Sequence, residues 1–138
     1  MRAYCLLSSV AAAVLALLLA CSAGCADRSY SRYVPPEGSS RKALEAALTA
    51  WQKGEAPGQV DSGPPVVQAV DSKWQAGQKL AGYEIVKDEP GENGTTFYSV
   101  RLTLKSPAKQ VMARYVVVGR DPLYVYREED FSQQPKGM

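Results

Sequence analysis

Few residues of this 138-residue chain have side chains that do chemistry. Histidine is absent, which removes histidine-based triads, histidine general bases and histidine metal sites. The serines have no base to activate them. The cysteines are Cys5, Cys21 and Cys25; with Cys5 in a removed leader and Cys21 modified, Cys25 has no partner for an intramolecular disulfide. Arg101, Arg114 and Arg127 are three guanidinium groups which, if set side by side, would repel one another unless something anionic lay between them. Glu84, Glu128 or Glu129 can supply that charge; the other reading is a site for an anion or an acidic partner. Tyr83, Tyr98, Tyr115 and Tyr126 have rings that can line a pocket or sit at a core's rim with their hydroxyls reaching water. Gly91-Glu92-Asn93-Gly94 lacks the strand-to-helix setting of a phosphate loop, and Glu128-Glu129-Asp130 is a solvated acidic run without metal spacing. No cofactor and no metal are expected.

The N-terminus must be sorted before the fold. Met1-Arg2 is a short positive start, and Val10 to Ala20 is an unbroken apolar run, too short for a bilayer that needs about 20 apolar residues. The run ends in Leu18-Leu19-Ala20-Cys21. This order resembles the lipobox of bacterial lipoproteins, over about 21 residues. The resemblance implies cleavage before Cys21, a diacylglycerol on its sulfur and usually an acylated new amino terminus; Cys25, after Ser22-Ala23-Gly24, is the second candidate. A plain secretory signal cut near Ala20 or Ala23, or an uncleaved anchor over Leu6 to Ala23, are the other readings. Without residues 1–20 and their Arg2, 118 residues remain with 15 basic and 14 acidic side chains, enough for one modest core. That balance gives no support to nucleic-acid binding.

Residues 21–40, rich in Ser, Gly, Pro and Ala, read as a flexible tether whose last third can dock through Tyr30, Tyr33 and Val34. A domain over 41–130 follows, then a disordered tail, 131–138. In Ser40–Gly54, Leu44, Ala47, Leu48 and Trp51 share one helical face; Ser39 or Ser40 caps the start and Gly54 ends it. Residues 55–65 read as a loop and 66–71 as a short strand. Residues 71–77 form a turn or one helical turn presenting Trp74. Four strands follow, at about 79–88, 95–106, 109–119 and 122–128. Short connections imply antiparallel neighbours, so the expected fold is α+β, one N-terminal helix across a four- to five-stranded antiparallel meander.

A register pairing Ser106 with Lys109 puts Tyr98, Val100, Leu102 and Leu104 on one apolar face with Val111, Ala113, Tyr115 and Val117. Pairing Gly119 with Pro122 adds Tyr124 and Tyr126 to it, and aligns Arg101, Arg114 and Arg127 on the other face. The layout of residues 40–130 is similar to the cystatin-like, nuclear-transport-factor-2-like group, in whose enzymes a pocket between helix and sheet holds an acid or tyrosine poised by burial. That resemblance rests on element order. Two functions follow as expectations. One is a membrane-tethered, non-catalytic envelope lipoprotein with its domain outside the cytoplasm and an unknown protein partner. The other is a small-ligand binder, less readily an enzyme, with a tyrosine-lined pocket.

Overall fold

The computed structural model describes residues 34–36 and 38–133. Helix α1 spans Ser39–Gln52 and buries Ala43, Leu44, Ala47, Leu48, Ala50 and Trp51, the face given by the 3.6-residue period. Gly38 occupies the N-cap position with a left-handed backbone and no side chain caps the helix. The expected serine cap is absent because the helix starts at Ser39, which places both Ser39 and Ser40 inside it; Ser40 Oγ bonds the Tyr98 hydroxyl at 2.7 Å. The C-terminal end does behave as its glycine suggests. Gly54 has φ +84°, its amide donates to the Trp51 carbonyl, and the Glu55 amide donates to the Ala50 carbonyl. This pair of bonds is a Schellman motif, which requires the left-handed residue.

Beneath the helix lies a six-stranded sheet. Its strands are β1 (Gly58–Asp61), β2 (Val67–Val70), β3 (Lys79–Pro90), β4 (Thr96–Lys105), β5 (Lys109–Gly119) and β6 (Leu123–Arg127). Their order is β1-β2-β6-β5-β4-β3. The helix-on-sheet α+β architecture is as expected, but the sheet has six strands and is mixed. β1 lies in the segment expected to be a loop, and β2 pairs in parallel with β6. The short link from β2 to β3 does not join neighbours. It crosses the end of the sheet to the opposite edge, four strand spacings or about 19 Å away. Helix α2 (Ser72–Gln75) lies in this link, and α3 (Glu128–Ser132) follows β6.

Both predicted hairpin registers are corrected. Leu104, not Ser106, pairs with Lys109, so the chain turns through four residues. This two-residue shift preserves the faces: Val100, Leu102 and Leu104 stay buried toward α1 with Ala113, Tyr115 and Val117. Gly119 pairs with Leu123 across three residues rather than two. A one-residue slip reverses the faces of β6, so Leu123, Val125 and Arg127 are buried while Tyr124 and Tyr126 leave the core face. Gly119 permits the tight return, since it has φ +91° and a Cβ there would sit 2.5 Å from the Pro122 carbonyl oxygen. On the outer face, Phe131 of α3 packs on Tyr126, with ring centroids 5.5 Å apart, and Val116 is fully buried.

Candidate functional site

The three arginines do not form a row. Arg101 pairs across the strands with Met112, and Arg114 with Ser99; Arg127 sits beside Tyr115 on the helix side of the sheet. The two-residue shift between β4 and β5 separates Arg101 from Arg114, and the one-residue slip of β6 turns Arg127 to the other face. Each guanidinium meets a carboxylate of its own. Arg101 Nη1 lies 2.7 Å from Glu84 Oε2. Arg114 bridges Glu128 at 3.0 Å and Glu89 at 3.3 Å, with its guanidinium 4.8 Å from the Phe97 ring centroid. Glu84 and Glu128 thus supply negative charge to arginines, as one reading expected.

Arg127 belongs to a buried polar cluster that the sequence did not disclose. Asp71, at 2% exposure, accepts four hydrogen bonds. Its Oδ1 takes the Lys73 amide at 3.0 Å, the Trp74 amide at 3.2 Å and Arg127 Nε at 2.9 Å; its Oδ2 takes the Tyr115 hydroxyl at 2.6 Å. Asp71 is therefore at once the N-cap of α2 and the counter-ion of Arg127. Burial, then the charge of Asp71, pushes the Tyr115 phenol well above its ordinary pKa, so it remains a donor at neutral pH. For Arg127 burial opposes the charge, but Tyr115 and Asp71 outweigh it and the net direction is upward. Arg127 Nη2 is buried without a hydrogen-bond partner, and the guanidinium carbon lies 5.5 Å from the Tyr115 ring centroid. A carboxylate saturated by four donors is an anchor rather than a general base. The legible signal was Asp71 before Ser72-Lys73-Trp74, an N-cap pattern.

The other tyrosines divide. Tyr83 and Tyr98 face α1, and their hydroxyls meet Thr49 Oγ1 at 2.9 Å and Ser40 Oγ at 2.7 Å. Tyr126 stands on the opposite face, stacked with Tyr124, and burial raises its pKa ahead of its neighbour Tyr124. The four therefore line no common pocket. Between α1 and the sheet the space is filled by Leu44, Leu48, Trp51, Leu80, Val100 and Leu102. A hollow of about 540 Å³ lies beside Tyr98 at the start of α1, where Val34 to Pro36 meet Asp88, Gly94 and Thr96.

Cys21 and Cys25 lie outside the described residues. Among the described residues no three Cys, Asp or Glu side chains converge as metal donors, and no helix is long and apolar enough to cross a membrane. Comparison with protein-family models, curated proteins and solved structures finds no match.

Proposed function

We propose that the chain is a bacterial envelope lipoprotein, held to a membrane through Cys21, whose domain outside the cytoplasm works as a non-catalytic structural or interaction module. The observation that carries the reading is the order Met1-Arg2, apolar Val10 to Ala20, then Cys21, ahead of a Ser- and Pro-rich stretch and a single domain. One lipid chain holds a protein only marginally; two or more, at roughly 0.8 kcal/mol per buried methylene, hold it stably. The interior of the domain supports a module built for packing. Its buried carboxylate is saturated, and the hydroxyls of Tyr83, Tyr98 and Tyr115 are engaged by Thr49, Ser40 and Asp71. Those engagements weigh against the ligand-binding alternative, which needs free hydroxyls around an open space. The helix laid across long antiparallel strands is the feature on which a cystatin-like assignment rests.

Metabolic labelling with a radioactive fatty acid tests the reading. Cys21→Ser is expected to abolish incorporation and leave an unprocessed precursor. Label that persists in Cys21→Ser and disappears in Cys25→Ser moves the anchor to Cys25, and label that neither substitution removes overturns the lipoprotein reading.

A further inference from the structure

The two ends of the sheet differ in charge. Lys79 and Lys105 are cross-strand partners at one end, and Lys109 pairs with Leu104 beside them. Helix α1 ends at the same place, because Trp51 Nε1 donates to the carbonyl of Gln78, next to Lys79. Its C-cap residue is Lys53. The Gln78 amide donates to the Lys73 carbonyl, which brings a fifth lysine. All five are exposed, and among the described residues none forms an ion pair. Carboxylates stand near them as well: Glu55 in the wall of a hollow at this end, and Asp130 of α3, whose Oδ2 takes the Ser72 amide beside Lys73. Elsewhere the arginines Arg41, Arg101, Arg114 and Arg127 all have carboxylate partners. Five exposed lysines without an ion pair thus gather at one pole, against the nearby carboxylates of Glu55 and Asp130.

The hollow, of about 190 Å³, is lined by Trp51, Glu55, Ala56, Pro57, Trp74 and Lys79, the one of the five lysines that reaches its wall. Trp51 and Trp74 stack behind it, with centroids 5.6 Å apart. We infer that this lysine-ringed end is a docking surface for an acidic polypeptide segment that places one apolar side chain in the tryptophan-backed hollow. A charged rim around a small apolar pocket is the anatomy of a protein interface, whereas a polyphosphate or a headgroup layer has no side chain to put there. The chain enters at the opposite end, where Val34 lies against Gly94. β3 alone separates the ends by about 40 Å, close to the full stretch of residues 22–33. A lipid at Cys21 therefore leaves the lysine end facing away from its own membrane; this orientation rests on the tether reading, and the lysine cluster does not.

Both tryptophans of the chain lie at this end, so intrinsic fluorescence reports on it directly. The full-length protein in a non-ionic detergent is titrated with a synthetic glutamate-rich peptide carrying one central leucine. A saturable fluorescence change is expected at low salt, weakened about tenfold in the triple variant Lys79→Gln, Lys105→Gln, Lys109→Gln. It is unchanged in Lys42→Gln at the other end, and a glycine in place of the peptide's leucine weakens it. Thermal melts verify that the triple variant is folded; if it is not, each lysine is replaced singly and the three losses are summed. Equal binding by the variants, no response in the wild type, or a stronger response to polyphosphate or to phosphatidylglycerol vesicles overturns the assignment. The mass of the same preparation reads lipid attachment separately. A lipid-free chain that binds the peptide sinks the tether reading alone, and a lipidated chain that ignores the peptide sinks the docking surface alone.

Discussion

Asp71 ties together three parts of the chain that are far apart in sequence: the start of α2, Tyr115 on β5 and Arg127 on β6. Removing its charge leaves Arg127 buried without a counter-ion. Asp71→Asn is expected to cost about 3–5 kcal/mol in urea unfolding, the range for breaking a buried pair. Tyr115→Phe leaves one carboxylate oxygen short of a donor and costs about 1–3 kcal/mol. The pH dependence has a definite sign. The Tyr115 pKa is raised on folding, so its contribution is complete below the ordinary phenol value near 10 and is lost as pH rises through the folded value. Stability measured by urea titration should be level from neutral pH to about 9 and fall above about 10. Tyr115→Phe should flatten that alkaline decline, leaving the smaller part due to Tyr126.

Helix α1 is held to the sheet chiefly by its buried face, and Trp51 is the largest side chain on it. Its ring stacks on Trp74, and the two indoles donate to the Gln78 and Glu55 carbonyls, so the pair locks the helix end to the crossing link. Trp51→Ala is expected to lower stability by about 3–5 kcal/mol by calorimetry or urea titration. A loss below about 1 kcal/mol would show that the ring is not a core anchor. This face was legible because a 3.6-residue period is written locally. The alternating faces of β4 and β5 were legible too, and survived a two-residue error in register. β6 was not, since its facing depends on whether two or three residues follow Gly119. β1 was hidden by Pro57 and Gly58, which read as breakers. Asp71 looked like a turn residue because its burial arises from partners 44 and 56 residues away.

At the scale of the molecule, one cluster of buried apolar residues runs from α1 through β2, β4, β5 and β6. A single core should unfold as a unit. Tryptophan fluorescence, which reports the lysine end alone, is expected to give the same thermal midpoint as far-ultraviolet dichroism, which reports the whole sheet; separate midpoints would divide the domain. The parallel pairing of β2 with β6 also orders events in time. The second strand of the sheet has its inner neighbour in the last one, more than 50 residues later. As the chain emerges from synthesis, β3, β4 and β5 can zip as successive hairpins, while β2 lacks its inner neighbour until residues 123–126 arrive. A chain halted after β5 would carry an exposed β5 edge and a stranded β1–β2 ribbon, which makes the closing strand the step at which quality control can tell a finished molecule from an unfinished one.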